Sequence, residues 1–131
     1  MLMKQILLFI LCLWILPNGE CKSGNEFKQK HHLYTAKGKA SYYANKFNGR
    51  CTTSGERFCN DSLTAAHKTL PFGTIVKVTN LQNDSVVIVR ITDRLPKKST
   101  RIIDLSRAAA IQLDFIKRGL TQVYIEQINR E

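Results

Sequence analysis

Residues 74–91 read TIVKVTNLQNDSVVIVRI, and this stretch decides the fold. Apolar and polar residues alternate over Thr74–Thr79, and β-branched residues fill Ser85–Ile91. Both patterns are typical of strands. Asn83-Asp84 lies between the two segments and suits a tight turn. The stretch therefore predicts a β-hairpin near the middle of the folded part of the chain.

Short strands are also predicted on both sides of this hairpin. Lys37–Tyr43 is predicted to be a short strand that begins near Gly38, Thr121–Ile128 alternates apolar and polar residues, and Leu63–Ala66 is a short apolar piece. Asn48-Gly49 and Pro71-Phe72-Gly73 are turn signals that separate these segments. Because short strands dominate and no repeat occurs, the sequence favours an all-β fold.

One helix is predicted late in the chain, over Arg107–Phe115. Ser106 suits the N-cap, the alanines favour a helix, and Gly119 suits its end. Asp104, two residues before the cap, is predicted to be structural, because it could accept backbone N–H groups and favour the positive helix end. The predicted architecture is a compact barrel with an inserted helix.

Residues 1–20 are predicted to be a secretory signal peptide. Lys4 precedes an apolar run over Ile6–Leu16, and Pro17-Asn18-Gly19 ends the run. The run is too short to cross a bilayer, which takes about 20 residues. Residues 21–33 are polar without periodicity and are predicted to be a flexible tether, and residues 34–131 are predicted to be the domain. The sequence thus predicts export to the periplasm or cell envelope.

Three cysteines remain after the signal peptide is removed. Cys51 and Cys59 are predicted to pair as a disulfide, because they lie close together in a chain sent to an oxidising compartment. Free thiols or half a metal site are the alternatives, but no second Cys/His pair stands at zinc spacing, and no metal is expected. Cys21 directly follows the signal and could carry a lipid anchor. Glu20 stands where the lipoprotein peptidase prefers a small residue, so cleavage to a soluble form stays open.

The chain is strongly basic, with a formal net charge of +10 at pH 7. The polyanions available to an exported protein are wall polymers, anionic lipid and extracellular nucleic acid. Nucleic acid is disfavoured, because the sequence has no helix-turn-helix, zinc-finger or RNA-binding aromatic signature. A basic surface kept for solubility is the alternative.

Three residues are candidates for acid–base chemistry. Asp93 ends the strongest strand, Glu56 lies between Cys51 and Cys59, and His67 can move a proton near neutral pH. Carboxylates on rigid mounts are what cleavage of a glycosidic bond requires, because the leaving oxygen must be protonated. Each has another interpretation: Asp93 could cap a turn or pair with Arg94, Glu56 could be a solvated loop acid, and His67 could be structural.

Six segments of the chain together resemble the rare lipoprotein A (RlpA) family. They span residues 38–129 and include one highly specific run, LTAAHKTLPFGT over Leu63–Thr74. The others are Gly38–Tyr43, Thr53–Arg57, Val76–Leu81, Val89–Arg94 and Arg101–Ala110. The resemblance implies a double-psi β-barrel with one or two short helices. It differs from the family's pattern at Leu95, where relatives usually have glycine.

The resemblance also implies the activity of an endolytic lytic transglycosylase. Such enzymes cleave the MurNAc–GlcNAc β-1,4 bond of peptidoglycan without water, leave 1,6-anhydro ends and favour strands without stem peptides. The family's essential residues fall on Glu56, His67 and Asp93. We expect Asp93 to be the general acid and then the base, Glu56 to stabilise positive charge or orient the sugar, and His67 to hold one carboxylate.

Tyr43, Lys68 and Arg94 are predicted to bind substrate, with no cofactor and a monomeric protein. The alternative function is a non-catalytic polysaccharide-binding module, because expansins and barwin-like proteins use similar barrels without lytic turnover. A secreted inhibitor is a third possibility. The two carboxylates, Glu56 and Asp93, favour the enzyme.

Overall fold

The computed structural model describes residues 33–128. The predicted signal peptide, most of the predicted tether and Cys21 lie outside this range. Within it, six strands form a closed barrel with the neighbour order β1-β5-β2-β4-β3-β6. The strands are β1 (Thr35–Tyr42), β2 (Thr64–His67), β3 (Ile75–Asn80), β4 (Val86–Arg94), β5 (Arg101–Leu105) and β6 (Thr121–Ile128). The predicted all-β barrel is confirmed.

The hairpin predicted over residues 74–91 is the antiparallel pair β3/β4. Asp84 at its turn adopts a left-handed φ of 60°, a conformation that aspartate tolerates better than most residues. Alternate residues of β3 and β4, Val76, Val78, Val87, Val89 and Ile91, are buried in the core. The buried residues therefore follow the period-2 pattern of the sequence.

Strand β5 was not predicted, and it is needed to close the barrel. It pairs in parallel with β1 and antiparallel with β2. At its start, Ile102 packs so closely on β1 that a Cβ at Gly38 would lie 2.6 Å from its Cγ2 atom. Any other residue at position 38 would require the Ile102 side chain to move.

The helix is shorter than predicted, and we call it α1 (Arg107–Gln112). Ser106 caps it as expected, since its side chain accepts a hydrogen bond from the Ala109 backbone N–H. The helix ends early because Asp114 takes a φ of 53°, which an α-helix does not allow. A single 3-10 turn over Asn45–Phe47 is a second short helical element. No helix among residues 33–128 is long and apolar enough to cross a membrane.

Candidate active site

Asp93 lies near the end of β4 and accepts four hydrogen bonds. Tyr43 Oη donates to Oδ2 at 2.7 Å. The other oxygen, Oδ1, accepts from Thr53 N at 3.0 Å, Thr53 Oγ1 at 2.7 Å and Arg94 N at 2.8 Å. The carboxylate is therefore held by three separate segments of the chain, and its orientation is fixed.

These contacts decide the charge of Asp93. Partial burial raises the pKa of the carboxyl, but the hydrogen bonds from Thr53, Tyr43 and Arg94 stabilise the charged form and outweigh burial. The net pKa lies below its usual value. Asp93 is thus ionised at neutral pH in the free protein, a form that can accept but not donate a proton.

Tyr43 is held by aromatic packing next to this carboxylate. Its ring lies 4.5 Å from that of Phe58 and 5.9 Å from that of Phe47, measured between centroids. Burial raises the pKa of the Tyr43 hydroxyl, and the bond to Asp93 and the charges of Asp93 and Asp104 raise it further. The hydroxyl therefore stays protonated, and its proton points to Asp93.

The loop that carries Thr53 is rigid because of backbone contacts. Thr52 N donates to the Glu56 carbonyl at 2.7 Å, which closes a turn in which Gly55 takes a φ of 89°. Ser54 N donates to the Thr92 carbonyl on β4 at 3.3 Å. These bonds place the Thr53 N–H and hydroxyl on Asp93.

The predicted disulfide is not formed, and this expectation was wrong. Cys51 and Cys59 are both exposed free thiols. The local pairing explains the result, because Cys51 stands opposite Arg57 and Phe58 N donates to the Arg50 carbonyl. Cys59 consequently lies opposite residues that precede Arg50, displaced along the ladder from Cys51.

Glu56 is paired with a neighbouring arginine. Its two carboxylate oxygens accept from Arg90 Nη1 at 2.8 Å and Nη2 at 2.9 Å. This bond lowers the pKa of the Glu56 carboxyl, whose side chain is 50% exposed. Arg90 precedes Asp93 by three residues on β4, so the Glu56 side chain is bound to the strand that carries Asp93, at a position whose Cα atom is about 10 Å from that of Asp93.

His67 lies at the end of β2, but it does not hold a carboxylate as expected. Its Nδ1 accepts from the backbone N–H groups of Thr69 at 3.1 Å and Leu70 at 3.0 Å. The proton therefore sits on Nε2. Burial, followed by the charges of Arg94 and Lys68, lowers the pKa of His67 to about 4. The imidazole is neutral at neutral pH and shapes the turn after β2.

Two of the predicted substrate-binding residues, Arg94 and Lys68, make different kinds of contact in the structure. The Arg94 guanidinium lies 4.1 Å from the ring centroid of Phe72, which is 42% exposed. Lys68 Nζ instead donates to the Ser99 carbonyl at 2.6 Å. Arg94 with Phe72 therefore forms a basic aromatic surface beside Asp93, and Lys68 braces the loop after β4.

The sequence did not reveal the role of two polar residues, Thr53 and Asp104. Thr53 is 40 residues from Asp93 in the chain, and no spacing rule would join them. Asp104 was predicted to support the helix end, which is wrong: its carboxylate accepts from Ser41 Oγ, at 2.5 Å, and from Arg101 Nε, at 2.7 Å. The β-branched Ile102 and Ile103 just before Asp104 were the available signal, because such residues favour a strand.

Comparisons with known proteins show which family the sequence resembles. The family model DPBB_1, described as lytic transglycolase, matches residues 35–125. The probable endolytic peptidoglycan transglycosylase RlpA of Treponema pallidum is 56% identical over 90 residues, which cover 69% of this chain and 28% of the relative. The endolytic peptidoglycan transglycosylase RlpA of Haemophilus influenzae is 51% identical over 108 residues, which cover 82% of this chain and 36% of the relative.

Solved structures show the same fold at low sequence identity. The expansin of Clavibacter michiganensis superposes with a TM-score of 0.61 at 18% identity, over 75% of this chain and 52% of the expansin. The curated relatives are longer: the chain spans between 28% and 36% of the length of the two described above.

Proposed function

The chain belongs to the RlpA family of lytic transglycosylases, and on that premise we propose that it cleaves the glycan strands of peptidoglycan as an endolytic lytic transglycosylase. The observation that carries the proposal is the Asp93 carboxylate, fixed by four donors at a strand end and flanked by the Arg94–Phe72 surface. The names of the relatives support the reaction class and the polymer.

The proposed reaction breaks the MurNAc–GlcNAc β-1,4 bond and forms a 1,6-anhydro ring on the muramic end. The leaving oxygen gains one proton and the C6 hydroxyl loses one, so no water is consumed and no proton is gained overall. One carboxyl group can therefore serve as acid and then as base. We assign both roles to Asp93.

Asp93 must carry a proton when the leaving oxygen departs, although it is ionised in the free protein. Burial is the influence that already raises the pKa of Asp93. A bound sugar chain would cover the half-buried carboxyl, remove more water and raise the pKa further. In this proposal, substrate binding raises the pKa of Asp93 and thereby allows it to act as the general acid.

The other predicted residues support Asp93 in this scheme. Glu56 and Arg90 form a bidentate pair that ties the Thr53 loop to β4. His67 keeps the turn that precedes Phe72 in place through its bonds to Thr69 and Leu70. The stacked Arg94 is suited to contact the polar edge of a sugar, or the lactyl carboxylate that a muramoyl residue exposes when its stem peptide is absent.

The test is to incubate the purified protein with peptide-free glycan strands and to analyse the products by mass spectrometry. We expect anhydro-muramyl ends from the wild type, and none from Asp93→Asn, with the fold of the variant unchanged by circular dichroism. Reducing ends would show hydrolysis instead. Full activity of Asp93→Asn would refute the assignment of Asp93.

A non-catalytic polysaccharide-binding module is the second candidate. It is favoured by the ionised state of both Asp93 and Glu56 in the free protein, which needs no proton transfer to bind sugar. Strands that are retained by the immobilised protein but stay intact after long incubation would select this function.

The cell envelope is the proposed place of action, because peptidoglycan lies there. We propose glycan strands as the partner and a monomeric protein. Lipidation at Cys21 remains a separate prediction. Mass spectrometry of the mature N-terminus would show a diacylglyceryl cysteine if it is right.

A further inference from the structure

A second basic aromatic cluster, formed by Lys46, Phe47 and Arg50, lies beside Tyr43; we call it the Phe47 cluster. The Phe47 ring packs on the Tyr43 ring at 5.9 Å between centroids. Two cations lie against Phe47, since Lys46 Nζ is 5.2 Å and Arg50 Cζ is 5.4 Å from the ring centroid. Because the Tyr43 hydroxyl donates to Asp93 Oδ2, a single side chain connects this cluster to the proposed acid.

The direction of the Arg50 side chain follows from the short ladder within its loop. Cys51 pairs with Arg57, and Phe58 N donates to the Arg50 carbonyl at 2.7 Å, so Arg50 and Phe58 stand opposite each other. Residues that stand opposite each other in a ladder project from the same face. The Phe58 ring lies 4.5 Å from that of Tyr43. Arg50 therefore projects from the face of the loop that packs on Tyr43.

The segment that carries the two cations is held in place by hydrogen bonds. Gly49 N donates to the Phe58 carbonyl at 2.7 Å. Asn48 Oδ1 accepts from Asn60 N at 2.9 Å. The Phe47 cluster thus stands on a fixed backbone, which lowers the entropy that a ligand must overcome on binding.

The two positive charges have no acidic partner in the described part of the chain. Lys46 and Arg50 are both exposed, and the ion pairs that residues 33–128 form include neither of them. An anion bound beside Phe47 would be attracted by both charges at once. The cluster therefore has the charge of an anion-binding surface.

The chemistry of the ligand follows from these side chains. Lysine and arginine donate hydrogen bonds and do not accept them, and a guanidinium binds a carboxylate through two parallel N–H bonds. The glycan of the proposed function carries one lactyl carboxylate on every muramoyl residue that has no stem peptide, whereas its N-acetylglucosamine residues carry none. A muramoyl residue near the cleaved bond is thus the part of the strand that matches the cluster.

We propose that the Phe47 cluster is a second sugar-binding surface, on which Arg50 and Lys46 bind the lactyl carboxylate of a muramoyl residue while Asp93 faces the bond that is cleaved. The inference rests on the proposed function for its polymer and names the residues that recognise the charge of the strand. Phe47 is a positioning residue, because it holds the two cations beside Tyr43.

The test uses calorimetry to measure Kd for two ligands that differ only in charge: peptide-free strands, and the same strands with their lactyl carboxylates converted to amides. Asp93→Asn is the common background, so that the strands stay intact. Lys46→Gln with Arg50→Gln removes the charges of the cluster. Lys117→Gln with Arg118→Gln removes one lysine and one arginine from the turn before β6 and is the matched control. Salt at about 0.15 M screens distant charges.

We expect the Lys46/Arg50 double variant to raise Kd for the carboxylate strands on the order of tenfold. Its Kd for the amidated strands should stay within about twofold of the background, because the lost interaction needs both charges. The Lys117/Arg118 variant should leave both Kd values unchanged. Phe47→Leu, which keeps the two cations but not the ring, should raise Kd for the carboxylate strands only, an effect that a merely structural role would not confine to one ligand.

Three outcomes would overturn the inference while the proposed function stands: an equal rise in Kd for both ligands in the Lys46/Arg50 variant, an equal rise in the Lys117/Arg118 variant, or no rise at all. Circular dichroism checks that every variant is folded. Formation of anhydro ends by the wild type is measured separately. If it fails while the charge dependence is observed, the proposed reaction is refuted and the Phe47 cluster stands as a glycan-binding surface.

Discussion

Replacing Tyr43 by phenylalanine should move the pH dependence of catalysis. The change removes the hydrogen bond to Asp93 Oδ2 and keeps the ring that packs on Phe58. Because the lost bond stabilises the charged carboxylate, the pKa of Asp93 should rise. The matched control is Tyr42→Phe, whose hydroxyl donates to the Ile116 carbonyl at 2.9 Å and not to an acid.

The size of the shift follows from the strength of the bond. A hydrogen bond to a charged group contributes about 1.5–3 kcal/mol, and one pKa unit corresponds to about 1.4 kcal/mol. Asp93 is only half-buried and keeps three other donors, so the lower end applies. We expect the pKa of Asp93 to rise by about one unit in Tyr43→Phe, and not to move in Tyr42→Phe.

The assay is the pH profile of kcat/KM on peptide-free strands. This ratio reports ionisation in the free enzyme, where Asp93 must take up a proton to act as acid. The ratio should fall as pH rises through the pKa of Asp93, and the falling limb should lie about one pH unit higher in Tyr43→Phe. Carbon NMR of the Asp93 carboxyl measures the same shift directly. The reasoning would be refuted if neither the pH profile of kcat/KM nor the pKa of Asp93 changed in Tyr43→Phe, or if both changed equally in Tyr42→Phe.

Two further predictions concern the residues around Asp93. The pKa of His67 is about 4 in the folded protein and about 6.5 in the unfolded chain. Between these pH values the unfolded chain binds more protons than the folded protein, so the free energy of unfolding should decrease as pH falls from 6.5 towards 4. His67→Asn keeps an acceptor for the Thr69 and Leu70 N–H groups and should flatten that slope in urea titrations; an unchanged slope would exclude His67 as its source. Glu56→Gln and Arg90→Gln should lower kcat equally, because both break the pair that holds the Thr53 loop on β4; abolished turnover in Glu56→Gln alone would instead place Glu56 on the sugar.

The barrel was largely predictable, because most of its strands show a pattern of residue types that can be recognised within a few residues of sequence. The hairpin around Asn83-Asp84 and the strand Thr121–Ile128 could be read from period-2 alternation. The strand Arg101–Leu105 escaped, because it is short and runs into the helix cap at Ser106. The predicted helix was longer than the observed one, because nothing in the sequence indicates the left-handed conformation of Asp114.

The site was only partly predictable. Asp93 was found because a carboxylate at a strand end is a local feature. Its donors Tyr43 and Thr53 are 50 and 40 residues away in the chain, and only the folded barrel brings them together. Asp104 was misjudged for the same reason: its neighbours Ser41 and Ala66 belong to strands that precede it by dozens of residues.

Barrel closure bears on how this chain behaves among its own copies. Every strand from β1 to β6 has a partner on both sides, so this part of the chain offers no unpaired edge onto which another molecule could add a strand and start an aggregate. The exposed Val86 and Ile88 of β4 are thereby kept from nucleating fibrils through backbone pairing. The domain should consequently tolerate the high concentrations that NMR titration of Asp93 needs.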